Sequence, residues 1–369
     1  MPLVAHSKLP TFERLRREGQ EILSLDRART QDIRELHIGL LNMMPDAALQ
    51  ATERQFLRLI GSCNRVAQLY IHPFAVDART RGPEAQAYIA QHYEEFRDIE
   101  RDGLDALIIT GANPIHTDIT REAFWEPMLD VMAWGREKVC STVCSCLATH
   151  ADVKNRHGVE RIRLPQKRWG VYSHRVLDVT HPLVSNINTR FDAPHSHVYE
   201  VTRSQLEAEG CTVLAHSDEA GVHLAVSEDG FRVLYFQGHP EYDINSLLKE
   251  YKREVSRFIA RDREDYPPVP EHYFGPQAMS LIDPYADGVR RAVAESDPPP
   301  RFPEAELGQL VDNTWTDTGK AIFNNWLGLV YQLTHHDRKL AFMDGVDPDD
   351  PLERRRTAAP DTGSPVAGV

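Results

Sequence analysis

The first 150 residues alternate between short, mostly apolar runs and longer stretches with apolar residues at helical spacing. The short runs are typical of strands buried on both faces of a sheet, and they occur at 36–42, 66–71, 104–109 and 139–143. Helical spacing occurs at 50–60, 84–95 and 124–134. This alternation predicts an α/β fold with a doubly wound, mainly parallel sheet, whose ligands bind beyond the carboxyl ends of the strands.

The pattern changes after residue 160, where short apolar runs separated by turns predict further strands at 170–172, 212–215, 223–226 and 232–236. Helices are predicted at 245–260 and 315–333, where apolar residues recur on one side. Between them, 263–312 is rich in Pro and acidic residues, which predicts an extended excursion with one short helix at 287–294.

Composition narrows the classes of function. The 369 residues are 41% hydrophobic and 26% charged, as in ordinary globular proteins. The formal net charge of -13 argues against non-specific nucleic-acid binding, so an anionic ligand needs locally placed Lys, Arg or helix N-termini. Because the sequence shows neither a secretion signal nor a bilayer-spanning run, we expect a cytoplasmic protein that binds neither membrane nor nucleic acid.

The cysteines also bear on the compartment and on metals. Five cysteines without a paired framework fit free thiols in a reducing compartment. Cys140, Cys144 and Cys146 lie near His150 in sequence, but their spacing does not match a standard zinc pattern. No metal site is predicted.

Cys146 is the candidate nucleophile. It follows a buried strand at a sharp turn into a helix, and a helix N-terminus favours a thiolate. Such a thiolate can attack a thioester or amide carbonyl while the N–H of Leu147 and a loop amide stabilise the oxyanion. The simpler interpretation is that Cys146 is a small buried apolar residue.

His239 and Glu241 are the candidate partners of that thiol. They flank Pro240, and alternate residues of an extended segment face the same way, so the carboxylate can fix the imidazole tautomer. Taken alone, the pair is equally a turn histidine beside an unrelated acid. With Cys146 upstream, the three supply nucleophile, base and orienter for acyl transfer.

Several cationic or imidazole side chains are candidate substrate contacts, although most such residues are only solvated surface. Arg253 is favoured because it lies one helical stretch beyond Gly238, and a guanidinium suits a carboxylate. The full set is Lys167, Arg168, His174, His195, His197 and Arg253.

Colinear motifs across nearly the whole chain carry a family resemblance. They are 41–45 (LNMMP), 110–112 (TGA), 141–142 (ST), Cys146, 170–172 (GVY), 194–196 (PHS), 238–243 (GHPEYD), 323–327 (FNNWL) and 331–332 (YQ). In these motifs the sequence resembles the homoserine O-succinyltransferase/O-acetyltransferase family of methionine biosynthesis, which is built on a class I glutamine-amidotransferase-like fold.

The resemblance implies a ping-pong reaction in which acyl-CoA loads the cysteine and the hydroxyl of L-homoserine takes the acyl group. By motif, Cys146 is then the nucleophile, His239 the base and Glu241 its orienter. Lys167, Ser196 and Arg253 match substrate-binding positions, the arginine suiting the amino-acid carboxylate. No cofactor is implied beyond acyl-CoA as co-substrate, and we expect a homodimer.

Three positions depart from the family pattern. Leu147 follows the cysteine where the family usually has Trp, and His197 stands where an Arg normally contacts substrate. The position that is Gly in succinyl-CoA users and Glu in acetyl-CoA users falls on Ile115, or on His116.

These departures leave alternatives open for donor and acceptor. Ile115 would narrow the acyl pocket and favour acetyl, whereas His116 or Lys167 can neutralise a succinyl carboxylate, and succinyl is preferred. Serine as acceptor, a glutamine amidotransferase or hydrolase using the same triad, and a non-catalytic binder remain as other interpretations.

The sequence therefore divides into five parts. They are an N-terminal arm (1–35), an amidotransferase-like catalytic domain (36–262), the excursion (263–312), a C-terminal helix packing on the domain (313–346) and a disordered tail (347–369).

Overall fold

The computed structural model describes residues 3–63, 67–76 and 81–354. Its centre is an eleven-stranded sheet in the order β2-β1-β4-β3-β5-β6-β11-β10-β9-β7-β8. The strands are β1 (Leu3–Ala5), β2 (Ile22–Ser24), β3 (Glu35–Leu41), β4 (Gln68–Phe74), β5 (Ala106–Ile109), β6 (Ser141–Ser145), β7 (Ile162–Val176), β8 (Arg190–Glu200), β9 (Thr212–Ser217), β10 (Gly221–Val226) and β11 (Val233–Phe236).

Twelve α-helices accompany the sheet in the described residues. They are α1 (Pro10–Arg17), α2 (Leu25–Arg29), α3 (Leu49–Gly61), α4 (Pro83–His92), α5 (Phe96–Asp102), α6 (Trp125–Lys138), α7 (Leu147–His157), α8 (Arg203–Ala208), α9 (Ser246–Ile259), α10 (Pro276–Glu295), α11 (Glu304–Gly308) and α12 (Thr316–Leu333). Within the described ranges, no helix has the length and apolar content needed to cross a bilayer.

The sheet has a parallel part and an antiparallel part. From β2 to β11 every pairing is parallel, and from β11 through β10, β9 and β7 to β8 every pairing is antiparallel. The predicted α/β fold with a mainly parallel sheet is confirmed.

The parallel strands are buried on both faces, as their apolar runs predicted. Along β5, Ala106 and Ile108 face one hydrophobic core, whereas Leu107 and Ile109 face a second core on the other side. The two-residue period of a strand explains this division. Helices α3 and α12 contribute to the first core and α6 and α7 to the second, so both faces are covered.

The region 1–35, predicted to be an arm, contributes two strands to one edge of the sheet: β1 pairs with β2 and β4. At the other edge, β7 and β8 form a long antiparallel ribbon, of which the sequence predicted only 170–172. The apolar pattern of both strands is interrupted by polar and imidazole side chains. Burial of these side chains depends on neighbours distant in sequence, so the local pattern did not indicate the two strands.

The excursion at 263–312 is more helical than predicted. The short helix expected at 287–294 is the end of the 20-residue helix α10, which contains Pro284. Its residues Ile282 and Val289 pack against Tyr251 and Val255 of α9 in a third core. An internal proline usually ends a helix, so Pro284 concealed the earlier turns, and burial of the apolar face supplies the compensating stability.

The predicted disordered tail is only partly described. Residues 347–354 are ordered in turns, and Arg354 forms an ion pair with Asp178 at 2.6 Å, which corrects the prediction for this stretch. Residues 355–369 lie outside the described part of the chain.

The contact between β7 and the excursion can be tested at Gly170. A Cβ at this position would lie 2.2 Å from the backbone oxygen of Glu271, whose N–H donates to Trp169 O at 2.8 Å. Since backbone cannot move aside cheaply, we expect Gly170→Ala to lower the free energy of unfolding by about 2–3 kcal/mol. Urea-induced unfolding followed by circular dichroism measures the change.

Gly328→Ala is the matched control. Gly328 is exposed within α12 and a Cβ there meets nothing within 4 Å, so helix propensity alone predicts a gain of about 0.5–1 kcal/mol. Equal effects of the two substitutions would contradict the described docking of the excursion on β7.

Candidate active site

The thiol of Cys146 stands at the turn between β6 and α7. Its backbone has φ 52° and ψ -109°, a conformation that non-glycine residues rarely adopt. The turn is held in place because the N–H of Cys146 donates to Phe236 O at 2.7 Å. Gly111 approaches from the loop after β5, where a Cβ would lie 3.4 Å from the Cβ of Cys146. The thiol is therefore fixed at a helix N-terminus beneath a close loop.

His239 reaches Cys146 because their strands are neighbours. β11 pairs in parallel with β6, with Phe236 opposite Ser145. The segments that follow the two strands therefore begin side by side at the carboxyl ends of the strands. His239 Nδ1 lies 2.8 Å from Glu241 Oε1, and the imidazole also hydrogen-bonds the Cys146 side chain. Cys146, His239 and Glu241 are thus in contact at the carboxyl ends of β6 and β11.

The charge on His239 follows from these contacts. Burial alone disfavours the imidazolium, but the negative charge of Glu241 and the hydrogen bonds to Cys146 and Glu241 outweigh it and raise the pKa of His239 to about 10. The ring of Tyr242 stacks on the imidazole with centroids 4.3 Å apart. His239 is accordingly a buried imidazolium at neutral pH, ready to give a proton to a leaving group.

A cavity of about 490 Å³ opens over these groups. Most of the residues predicted from the sequence line this cavity, whereas Glu241 contacts His239 from outside the lining and Arg168, His174 and His195 lie elsewhere. The predicted residues in the lining are Ile115, His116, Cys146, Leu147, Lys167, Ser196, His197, His239 and Arg253.

Glu250 is a member of the site that the sequence analysis missed. Its carboxylate accepts hydrogen bonds from Ser196 Oγ at 2.7 Å, Lys167 Nζ at 3.2 Å and the Tyr242 hydroxyl at 2.7 Å. Burial opposes its ionisation, but the charge of Lys167 and these bonds lower the pKa of Glu250 below its ordinary value. It lies three residues before Arg253 on α9, so the two side chains share a face of the helix. This spacing is the signal by which the sequence could have indicated Glu250.

Arg161 was also missed. Its guanidinium lies 3.9 Å over the Tyr199 ring and donates to Thr117 O at 2.9 Å. No carboxylate among the described residues comes within ion-pair distance of it. By contrast Arg168, a predicted contact, pairs with Glu200 and does not line the cavity. Arg161 is therefore a cation of the cavity lining with no ion-paired carboxylate in the described part of the chain, although Glu122 and Glu160 attract it from a longer range.

Two predicted positions behave differently from expectation. Ile115 is 89% exposed at the cavity, so it does not narrow the pocket, because the loop after β5 carries it to the surface. His197 is buried, and its two ring nitrogens lie 3.0 Å from His195 Nδ1 and 2.6 Å from Tyr199 O. Burial lowers the pKa of His197 to about 3, so this ring is neutral and already engaged.

The remaining candidates lie apart from the cavity. His174 and His195 are buried below it, and the metal group considered at Cys140, Cys144 and Cys146 is divided, since Cys140 faces the first core and Cys144 the second. All five cysteines are free.

A thiol, an imidazole and a carboxylate in hydrogen-bonded series at the carboxyl ends of parallel strands are the groups of an α/β enzyme that transfers acyl groups. The chain belongs to the homoserine O-succinyltransferase family, whose model matches residues 2–336. The prediction of an acyltransferase is confirmed by this membership.

Relatives named homoserine O-succinyltransferase cover nearly the whole chain. The protein of Methylobacter tundripaludum is 60% identical over 352 residues, 95% of this chain and 99% of the relative. That of Allochromatium vinosum is 58% identical with the same coverage. Among solved structures, a glutamine amido transferase from Methylobacillus flagellatus has a TM-score of 0.43 at 12% identity, covering 80% of this chain and 95% of that one.

The pKa of His239 makes Glu241→Gln a direct test of the site. Removing the carboxylate charge removes a main cause of the raised pKa, so His239 should lose its proton well below pH 10 in the variant. In the wild type, the stability supplied by this imidazolium is complete below about pH 6.5 and is lost as the pH rises through about 10. NMR titration of ¹³C-labelled histidine measures the difference.

Glu122→Gln is the control, because Glu122 Oε1 lies 3.1 Å from Nδ1 of a different ring, His116. It should leave the titration of His239 unchanged. An unaltered His239 titration in Glu241→Gln would show that the two side chains are not coupled as described.

Proposed function

We propose that the protein transfers a succinyl group from succinyl-CoA to the hydroxyl of L-homoserine, through an acyl-cysteine at Cys146, as a step of methionine biosynthesis. The observation that carries the proposal is the hydrogen-bonded series Cys146–His239–Glu241 at the cavity. The names of relatives 54–60% identical over nearly the full chain support donor and acceptor.

In the first half-reaction the Cys146 thiolate, beside the His239 imidazolium, attacks the thioester carbonyl of the donor. The oxyanion is met by the N–H of Leu147, at the start of α7, and by the loop that Gly111 brings close. The carbon–sulfur bond to CoA then breaks, and His239 gives its proton to the departing thiolate. The acyl-cysteine and a neutral His239 remain.

In the second half-reaction neutral His239 removes the proton from the hydroxyl of homoserine, whose oxygen attacks the acyl-cysteine carbonyl. The bond from carbon to Cys146 sulfur breaks, and thiolate and imidazolium are restored together. Glu241 holds the ring in both half-reactions through its 2.8 Å contact with His239 Nδ1.

The amino acid is held by the cationic wall of the cavity. Arg253 lines it with a side chain 55% exposed, in reach of a carboxylate that enters from solvent. Lys167 and Ser196 line the same cavity, and Glu250 fixes the position of both side chains. They can therefore bind the polar end of the substrate in a defined orientation.

The donor's free carboxylate is assigned to Arg161. A succinyl group on Cys146 carries one negative charge that an acetyl group lacks, and Arg161 is a cation in the same cavity that forms no ion pair among the described residues. Its guanidinium offers donors in a planar arrangement that matches a carboxylate. This contact supports succinyl over acetyl.

The acyl-cysteine is tested by intact mass. Incubation with succinyl-CoA alone should add one succinyl group to the wild type and none to Cys146→Ala, since the nucleophile is gone. Cys211→Ala is the control, because Cys211 is buried away from the cavity and its burial raises the pKa of the thiol to about 12. An adduct in Cys146→Ala would refute the assignment.

The same samples decide between donors and acceptors. Acetyl- and succinyl-CoA are each offered with homoserine, serine or glutamine, and product is identified by mass. Homoserine with succinyl-CoA should give the highest kcat/KM, whereas faster turnover of serine, of acetyl-CoA or of glutamine alone would replace the proposed reaction by that one.

Arg161→Gln tests the donor contact separately. Loss of a charge-assisted pair should reduce kcat/KM for succinyl-CoA by about 10- to 100-fold and change the value for acetyl-CoA little. Arg163→Gln is the control, since Arg163 is exposed two residues further along the chain, on β7, and does not line the cavity. Equal losses with both donors would assign Arg161 to structure or to the CoA moiety instead.

A further inference from the structure

Three buried histidines meet beneath the turn that carries His239. His174 lies on β7, His195 on β8 and His223 on β10, and each side chain is at most 1% exposed. One nitrogen of each ring belongs to a group in which the three atoms lie within 4.8 Å of one another. None of the three has a part in the reaction described above.

Hydrogen bonds link two of these rings to a third histidine and to the backbone. His174 Nδ1 lies 2.8 Å from Tyr172 O, and His174 Nε2 lies 3.1 Å from His195 Nε2. His195 Nδ1 lies 3.0 Å from His197 Nε2, and His197 Nδ1 lies 2.6 Å from Tyr199 O. The series runs from one carbonyl oxygen to another through three imidazoles.

This series of hydrogen bonds needs more protons than three neutral imidazoles carry. Its four contacts need four protons, one for each, because carbonyl oxygens only accept and each pair of ring nitrogens shares one hydrogen. Three neutral imidazoles carry three protons. Adding a fourth would bury a positive charge among rings that no described carboxylate contacts, at a large cost in desolvation. One contact therefore lacks its proton when the rings are neutral.

His223 adds a second unsatisfied atom at the same place. Its Nδ1 is fully buried and has no hydrogen-bond partner among the residues that the structure describes. An unpaired buried nitrogen is costly, and native proteins rarely keep one without a ligand or water. The missing proton and the orphaned nitrogen both point to the space shared by His174, His195 and His223.

We propose that His174 Nε2, His195 Nε2 and His223 Nδ1 bind a divalent transition-metal ion, Zn²⁺ being the probe for which all-imidazole ligation is common. The ion takes the place of the proton between His174 and His195. Nδ1 of His195 is then free to carry a hydrogen to His197, and His174 and His197 donate to the two carbonyls. All four contacts of the series are satisfied by three protons and one ion.

The distances suit such an ion. Zinc–nitrogen bonds of about 2.0–2.1 Å at a tetrahedral centre place two ligand nitrogens about 3.3 Å apart, near the 3.1 Å between His174 and His195. The separations of the other pairs reach at most 4.8 Å, so binding requires these nitrogens to approach by up to about 1.5 Å. Two of the three ligands have a partner at their other ring nitrogen: His174 Nδ1 faces the carbonyl oxygen of Tyr172, as is usual for metal-binding histidines, and His195 Nδ1 faces His197 Nε2.

The ion has a structural role beside the active site. It joins β7, β8 and β10 directly below Gly238, where a Cβ would lie 2.5 Å from His223 Nδ1 and 2.8 Å from His195 Nε2. The next residue, His239, is anchored by its N–H to Pro194 O at 2.8 Å, adjacent to His195. Binding the ion therefore steadies the turn that presents His239, without contact to the reacting atoms.

The test is made in the Cys146→Ala background, so that the thiol of the active site does not bind metal. Protein expressed with added Zn²⁺ and purified by gel filtration should contain about one equivalent of metal by mass spectrometry. After chelation, Co²⁺ should restore one equivalent and give the visible absorption of a nitrogen-ligated, low-coordinate ion. His223→Gln should lose at least tenfold in bound metal while its circular dichroism stays native.

Two controls separate this site from others. His72→Ala removes one side chain of another cluster that could hold a metal ion, formed by His6, His72 and Glu94. His181→Ala removes a buried histidine that contacts Gly230 O. Both should keep the metal and the Co²⁺ spectrum. Absence of metal and of the Co²⁺ spectrum in the folded parent, or full retention of both in His223→Gln, would overturn the proposal.

Discussion

The parallel pairing of β6 with β11 is the constraint on which the site depends. It places Ser145 opposite Phe236, so the chain turns off both strands at one level and Cys146 meets His239. Phe236 O accepts from the N–H of Cys146 at 2.7 Å and from Thr149 Oγ1 at 3.1 Å, which fixes the strained turn and the first turn of α7 together. A shift of the β6–β11 register by one residue would turn the thiol to the other face of the sheet and separate Cys146 from His239.

Electrostatics at the site are local, as the overall charge requires. In an acidic protein, two carboxylates organise the polar groups of the site: the buried Glu241 holds the charge of His239, and the half-buried Glu250 binds Lys167 and Ser196. Arg161 and Arg253 complete a cationic lining in a cavity of about 490 Å³. Anionic ends of substrates are therefore bound by placed side chains, and the acidic surface gives no general attraction for polyanions.

How much of the site could be predicted depended on sequence spacing. Cys146, His239 and Glu241 were recognisable because a strand-end thiol and a base–acid pair two residues apart are local patterns. Glu250 and Arg161 were not, because a glutamate on an amphipathic helix and an arginine between elements are ordinary surface residues until the fold buries them. His197 was assigned to substrate, yet its nitrogens are taken by His195 and Tyr199, which no spacing reveals.

The sequence by itself determined the α/β class, the parallel strands β3, β4, β5, β6 and β11, and the local motifs of the candidate site, since apolar periodicity and short motifs are encoded within a few residues. Only the tertiary structure decided the β7–β8 ribbon, the full length of α10 across Pro284, and the meeting of buried histidines from three strands. These features depend on contacts between residues far apart in the chain, whose burial offsets local preferences. The thiol was visible in the sequence, and its surroundings were set by the fold.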